Sequence, residues 1–235
     1  MARVRRIVTS RSGGVSKPPY ESFNLGGRVG DDPAAVAANR RRLARAAGLP
    51  PERIVWMEQV HGGRVATVDR PRAHPVPGVD ALVTATLELG LAVLVADCVP
   101  VLLADPSAGV IAAVHAGRVG AAAGVVPAAV AAMTRLGASP VGSDALLGPA
   151  VCGECYEVPA AMRDEVEAAL PGAAATTRAG TPGLDLRAGI ARQLAGLGIP
   201  RVVADPRCTA EDPELFSHRR DGTTGRQAGL VWIES

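Results

Sequence analysis

The chain has 235 residues, 48% of them hydrophobic and 20% charged, with a formal net charge of +2. That length can bury a sizeable core, and that balance reads as a soluble globular chain with no strong electrostatic signal for a partner such as nucleic acid. No run approaches the ~18 consecutive apolar residues of a membrane-spanning helix.

Lys17 is the only lysine, which leaves 24 arginines beside abundant Ala, Gly and Pro. This is composition bias rather than a nucleic-acid footprint. The basic N-terminal stretch MARVRRIVTSRSGGVS has no apolar segment and does not read as a secretory signal. With that start, the four cysteines (Cys98, Cys152, Cys155, Cys208) are expected as reduced thiols in the cytoplasm.

In chain order, Val4–Thr9 is predicted as a strand, Ser12–Val15 as a glycine turn and Tyr20–Gly27 as a polar loop. Asp32 caps and Pro33 opens a helix over Ala34–Ala47 that Gly48 ends. Arg53–Val60 reads as a strand running into His61, with Gly62-Gly63 as a turn and Arg64–Val68 as the return; Pro71–Pro77 is loop. Ala81–Thr84 is a short strand. Two apolar runs, Ala92–Ala96 and Val101–Ala104, flank Asp97-Cys98, and a third, Val110–Val114, delivers His115. Closing Ala104 on Val110 makes a hairpin with Cys98 beside Ala116, and a one-residue bulge near Pro100 is then needed to put Cys98 and His115 on one face. Val119–Leu136 is one long Ala-rich helix closed by Gly137. Asp144–Leu147 is a strand, Ala160–Leu170 and Leu186–Leu197 are helices, and Pro171–Gly183 is a surface loop. Arg201–Ala204 and Leu230–Ile233 are late strands. Hairpins mixed with helices predict one domain over 1–235 of the α/β (α+β) class, with mixed β-sheets layered with helices.

Four places carry candidate chemistry. His61, in Gln59-Val60-His61-Gly62, ends a strand next to glycines, where a ligand can approach; its ordinary role would be a hydrogen-bonded structural histidine. Cys98, beside Asp97 and near His115, suits either a Cys–His nucleophile or a pair of zinc ligands. His61, Cys98 and His115 together give a three-ligand zinc set with an open fourth position. Cys152-Gly153-Glu154-Cys155 is a C-x-x-C, a pattern that on its own suits a redox or disulfide pair or half a structural zinc site; no second C-x-x-C and no thioredoxin-like unit accompanies it, which argues against the redox role. Residues 216–226, FSHRRDGTTGR, set three arginines around a Gly/Thr turn, which suits an oxyanion or phosphate.

The blocks TSRSGGVS, SFNLG, GDDP followed by NR, QVHG, ADCVPVLL, VHAG, GPAVCGECYEV and FSHRRDGTTGR resemble, in order and over almost the whole chain, those of the YfiH-type family. That family was long labelled multicopper polyphenol oxidoreductase or laccase-like, and is described as zinc-dependent purine nucleoside phosphorylases with adenosine deaminase activity. The resemblance implies that His61, Cys98 and His115 hold Zn²⁺, the set also reached from the residues alone. It implies further that Asn24, Gln59 and Asp97 lie near a purine nucleoside. Adenosine, inosine or methylthioadenosine would be cleaved with inorganic phosphate; Arg118 and Arg226 are the candidate phosphate-binding residues, and Asp97, Cys98 and His115 the catalytic ones. The family usually follows HAG with Trp and Arg, where this chain has Arg118 and Val119. It often has adjacent cysteines where Glu154-Cys155 stand, and an aromatic residue where His218 stands.

With only four histidines (His61, His74, His115, His218), a blue-copper site using two would leave two for a trinuclear cluster, too few for multicopper oxidation. Two rivals remain. One is a metal-independent Cys98–His115 hydrolase or amidase acting on a cell-wall precursor. The other is a non-catalytic interaction module stabilised by zinc, with Cys152 or Cys155 as a fourth ligand. Nothing in the sequence indicates an oligomeric state.

Overall fold

A computed structural model describes residues 3–234. Met1, Ala2 and Ser235, which the single-domain reading of 1–235 and the reading of the basic N-terminal stretch also take in, lie outside the described residues. In chain order the elements are β1 (Arg3–Val8), α1 (Pro33–Ala47), β2 (Ile54–Val55), β3 (Met57–Glu58), β4 (Val65–Thr67), β5 (Val76–Pro77), β6 (Ala81–Thr84), β7 (Gly90–Val95), β8 (Val99–Asp105) and β9 (Val110–Ala116). There follow α2 (Arg118–Ala122), α3 (Val125–Arg135), β10 (Asp144–Leu147), α4 (Ala160–Ala169), β11 (Ala174–Thr176), β12 (Pro182–Leu184), α5 (Leu186–Gly196), β13 (Arg201–Ala204), α6 (His218–Asp221) and β14 (Gln227–Glu234).

Two large mixed sheets pack face to face. One has four strands in the order β1-β14-β7-β2, the other six in the order β13-β10-β8-β9-β6-β4. Leu91, Val93, Val95, Val231 and Ile233 of the first meet Leu82, Leu102, Ala104, Ile111 and Ala113 of the second. The outer face of the six-stranded sheet is covered by α3, α4 and α5, through Val126, Val130, Val166, Ile190 and Leu194. The outer face of the four-stranded sheet is covered by α1, through Leu43, Ala44 and Ala47 against Ile54, Leu230 and Trp232. Sheets covered on both faces need unbroken apolar strands rather than alternating ones, and β7, β8, β9 and β14 are such runs. The expected class holds: a single domain of mixed sheets with six helices among the described residues.

Several local expectations hold in detail. Asp32 accepts from Ala34 N–H and Gly48 ends α1 in the left-handed region, and Asp185 accepts from Ala188 N–H at the start of α5. Others are corrected. The expected strand 53–60 splits at Trp56, because β2 pairs parallel with β7 while β3 pairs parallel with β5, inside the expected loop 71–77. The segment after Gly63 is not a hairpin return, since β4 pairs parallel with β6. The long helix breaks between α2 and α3 at Gly124, which takes φ 80°. The stretch 171–183 folds as the β11–β12 hairpin, with Glu167 accepting from Gly172 and Ala174 N–H to hold its entry. The polar loop 20–27 is irregular but not superficial. Asn39 of α1 reaches it with Nδ2 donating to Ser16 Oγ, Ser22 O and Asn24 O, and with Oδ1 accepting from Val15 N–H.

The β8–β9 register differs by one residue from expectation: Ala104 faces Ile111 and Asp105 faces Val110. Asp105 stays in the ladder because its buried carboxylate accepts from Ser107, Ala108 and Ser139 N–H at 2.9, 3.0 and 2.8 Å. Burial pushes its carboxyl up, but the amides of Ser139, Ala108 and Ser107 outweigh that and hold it below the usual range. Asp105→Ala is therefore expected to cost ~1–3 kcal/mol, seen in denaturant melts. Because the folded value is depressed, this contribution is present above the unfolded carboxylate pKa of about 3.9 and lost as pH falls through the folded value. A wild type and variant that differ equally at neutral pH and near pH 2 would refute the assignment.

Candidate metal centre

The chain crosses from the four-stranded sheet to the six-stranded one at Ala96-Asp97-Cys98, between β7 and β8. Pro100 faces His115 across the ladder. In an antiparallel pair, opposed residues share a face, and so do residues two apart. Cys98 thus reaches the side of His115 with no bulge, because the observed register supplies the parity that the expected one lacked. His61 completes the group: the ligand atoms of His61, Cys98 and His115 all lie within 4.8 Å of one another. The two imidazole rings stand 4.7 Å apart at 82°.

Asp80, fully buried, organises this group. Its Oδ1 lies 2.8 Å from His115 Nδ1, and its backbone oxygen accepts from His115 N–H at 2.7 Å. The same carboxylate accepts from Val60, His61 and Gly62 N–H at 3.2, 2.9 and 2.7 Å. Three converging amides sustain the left-handed backbone of His61, φ 59°. With Nδ1 turned to Asp80, His115 presents Nε2 to the centre, the arrangement that orients metal-ligating histidines. Sequence reading missed Asp80; its one signal is an acid placed directly before an apolar strand.

The electrostatics follow. Burial raises the Cys98 thiol, but hydrogen bonds from His115 and His61 and their charge outweigh it and bring it to about 6. Burial lowers His115, while Asp80 and then Cys98 raise it to about 9. For Asp80 burial raises the carboxyl, and His115 with the Gly62 and Val60 amides holds it below its usual range. Gly117 leaves no slack, since a Cβ there would sit 3.0 Å from both Cys98 Sγ and His61 Cδ2. The donor set (one thiolate and two imidazoles, close together, one of them held by a carboxylate) suits zinc with an open fourth position.

These residues open into a cavity of about 940 Å³, in the size range of small-molecule sites. Arg28, Arg40, Arg118, Arg219 and Arg226 line it, with Tyr156 and the carboxylates of Glu58 and Asp97. Arg28 pairs with Glu58. Arg40 lies 4.1 Å over Trp56 and donates to Leu25 O, and burial lowers it to about 10. Arg219 lies 5.1 Å over Tyr156. Arg226 donates to Thr224 O and Gly225 O, and burial lowers it from its usual value.

The expected site residues divide by position. Asp97 lines the cavity, but its carboxylate is occupied: it accepts from Thr209 Oγ1, Ser217 Oγ and Arg219 N–H at 2.6, 2.6 and 2.7 Å. Gln59 also lines it while pairing with the Leu94 backbone, Oε1 accepting from Leu94 N–H and Nε2 donating to Leu94 O. Asn24 is fully buried behind the wall, its Oδ1 accepting from Gly26 and Arg226 N–H. Arg220 of the 216–226 loop turns away and ties the chain together, donating to Thr209, Asp212 and Leu215 oxygens. Cys152 and Cys155 do not join His61, Cys98 and His115; they group instead with Cys208 and Glu211.

Among the described residues no helix is long and apolar enough to cross a membrane. A family model described as multi-copper polyphenol oxidoreductase laccase matches residues 5–234. A purine nucleoside phosphorylase of Mycobacterium tuberculosis is 65% identical over 232 residues, covering 99% of this chain and 93% of that protein. A purine nucleoside phosphorylase of Corynebacterium glutamicum is 58% identical, covering 98% and 94%. The crystal structure of YlmD from Geobacillus stearothermophilus superposes with a TM-score of 0.91 at 37% identity, covering 99% of this chain and 92% of that one. That of a Bacillus licheniformis protein, YfiH, gives 0.91 at 30% identity, covering 98% and 93%. Motifs, fold and relatives agree, and the chain belongs to the laccase-like YfiH family.

Proposed function

We propose that this chain is a zinc-dependent purine nucleoside phosphorylase, folding as one functional domain over 1–235. In this reading it cleaves adenosine or inosine, with methylthioadenosine as a further candidate, using inorganic phosphate, and has adenosine deaminase activity. The observation that carries the reading is the thiolate–imidazole–imidazole set at the floor of an arginine-lined cavity, in a family whose curated relatives are named purine nucleoside phosphorylases. Multicopper oxidation finds too few ligands. Among the described residues, His74 and His218 stand outside both clusters of potential metal ligands.

His61, Cys98 and His115 would hold Zn²⁺, which would supply Lewis acidity for phosphorolysis and for deamination. The chain's own residues do the rest. Arg118 and Arg226 face the cavity and hold the phosphate dianion by charge-assisted hydrogen bonds, placing it for attack on the ribose anomeric carbon as the C–N glycosidic bond breaks and its electron pair leaves with the purine, which takes up a proton from water. Tyr156, half-buried against Arg219, offers a flat wall for the purine. Asp97 ties Thr209, Ser217 and Arg219 together beside the cavity, which His218 and Arg219 line, and Gln59 holds the strand next to it through Leu94.

Elemental analysis is expected to find zinc and no stoichiometric copper. A nucleoside panel should release free base from adenosine or inosine only with phosphate present. Several coppers per chain, or base release indifferent to phosphate, would overturn the reading. One observation favours a second reading: Cys98 lowered to about 6 beside His115 raised to about 9 also describes a metal-independent thiolate–imidazolium nucleophile. Full activity in protein stripped of zinc would select it.

A further inference from the structure

A second group of soft donors lies behind one wall of the cavity. Cys152, Cys155, Cys208 and Glu211 each offer a ligand atom, and these atoms all lie within 4.8 Å of one another. We propose that this group is a closed structural zinc site, distinct from the pocket centre, which clamps the segment after β10 to the segment after β13.

The donor chemistry is specific. Three thiolates and a carboxylate fill a tetrahedral zinc shell completely, and the softness of the thiolates selects zinc over magnesium or calcium. With Zn–S bonds of about 2.3 Å, tetrahedral angles put ligand atoms roughly 3.8 Å apart, so the observed spacing closes on an ion with small side-chain adjustments. All four cysteines of the chain are free thiols. Three of them in one cluster cannot pair off as disulfides without leaving one over, and as thiolates they repel unless a cation lies between them. Cys152 N–H donates to Cys208 Sγ at 3.3 Å, a contact that a thiolate ligand at Cys208 would keep. The Cys152 and Cys155 ends are held by a tight turn, with Cys155 and Tyr156 N–H donating to Cys152 O.

The placement says what the ion would do. Residues 150 and 208 bridge in parallel, and Thr209 N–H donates to Ala150 O at 3.2 Å. One clamped segment leads into Val151 and Tyr156, which line the cavity. The other carries Thr209, which donates to Asp97. Arg178 bridges Glu154 and Glu211 across the outer edge of the cluster. Three thiolates and one carboxylate around a dication leave a net negative charge, and Arg178, shared between Glu211 and Glu154, offsets part of it. The C-x-x-C motif is therefore three-quarters of its site only with Cys208, which lies 53 residues beyond Cys155 and is invisible to a local motif.

The test counts metals and thiols in the whole protein. Wild type is expected to hold two zinc ions per chain. The His61→Ala/His115→Ala variant should hold one, and in it Cys152, Cys155 and Cys208 should resist alkylation until a chelator removes that zinc. Cys155→Ser/Cys208→Ser should lose one zinc and melt at a lower temperature. Should that variant fail to fold, cobalt reloading of the pocket-deficient variant decides, since three of four thiolates remain and about three quarters of the thiolate-to-cobalt absorption should persist. The proposal is overturned if the pocket-deficient variant binds no zinc or cobalt, or if its three cysteines alkylate freely while zinc stays bound. A disulfide between any two of them in zinc-loaded, reduced protein would overturn it equally. A single wild-type zinc that survives in the pocket-deficient variant with the three thiols protected would refute the pocket assignment and support this site.

Discussion

Replacing His61 with alanine is expected to remove the pocket zinc and phosphate-dependent base release as completely as Cys98→Ala or His115→Ala does. The three side chains form one set of ligand atoms within 4.8 Å, and two remaining donors hold zinc poorly. Loss of the Lewis acid removes several kcal/mol of transition-state stabilisation, a fall of roughly 10³-fold or more in kcat/KM. His61 is the sharpest probe of the three because a simple Cys98–His115 dyad has no need of it beyond a hydrogen bond to the thiol. The measurements are zinc per chain and free base released from adenosine in the presence of phosphate. If His61→Ala keeps the wild-type zinc count and turnover while the other two variants are dead, the dyad is the catalyst and the three-ligand set is wrong.

The sequence displayed its sheets more clearly than their partners. β6, β10 and β13 have the predicted bounds because each is a short apolar run with a turn or cap on both sides. What failed is whatever depends on distant residues. Nothing local says that the chain around Trp56 switches from pairing with β7 to pairing with β5. Nothing local says that Val65–Thr67 prefers β6 to the strand just before it. The one-residue register error has the same origin: the Asp105 carboxylate is held by Ser139, 34 residues away, and that contact keeps Asp105 in the ladder. Gly124, by contrast, carries a local signal, a glycine within the Ala-rich run, and its φ of 80° is where the helix breaks.

The site shows the same division. Histidine and cysteine are rare here and chemically loud, so His61, Cys98 and His115 are visible as candidates, although the predicted register needs a bulge to bring Cys98 and His115 together. The residues that hold them do not. Asn39 looks like an ordinary polar residue inside α1 yet satisfies four groups of the 15–24 loop, among them the buried Ser16 and Asn24. Asn24 and Gln59, expected near substrate, have both amide ends engaged by the protein. Polar residues of this kind serve the wall of the cavity by satisfying backbone, and only coordinates separate that duty from contact with a ligand.

Asp80→Asn is expected to weaken the pocket zinc by ~10–100-fold while leaving the fold intact, the cost typical of removing the carboxylate behind a metal-ligating histidine. The carboxylate now only accepts: Oδ1 takes His115 Nδ1–H and His61 N–H, and Oδ2 takes Gly62 N–H. An asparagine must point its NH₂ at one of these places. Aimed at Gly62, it sets donor against donor, and the left-handed turn at His61 loses an anchor. Aimed at His115, it donates to Nδ1, which forces the ring proton onto Nε2, the nitrogen that must stay bare to bind metal. Either way one ligand is misplaced or blocked, and a buried polar group goes unpaired at ~1–3 kcal/mol. The stability loss alone would prove little, so Asp105→Asn serves as the control. It too disturbs a fully engaged buried carboxylate, at the far end of the β8–β9 hairpin, and should lower the melting temperature without changing zinc affinity. Competition against a chelator of known affinity, run on both variants, separates the two effects. If Asp80→Asn loses stability to the same degree as Asp105→Asn but keeps wild-type zinc affinity, then Asp80 only ties down the His61 loop and the orientation of His115 does not depend on it.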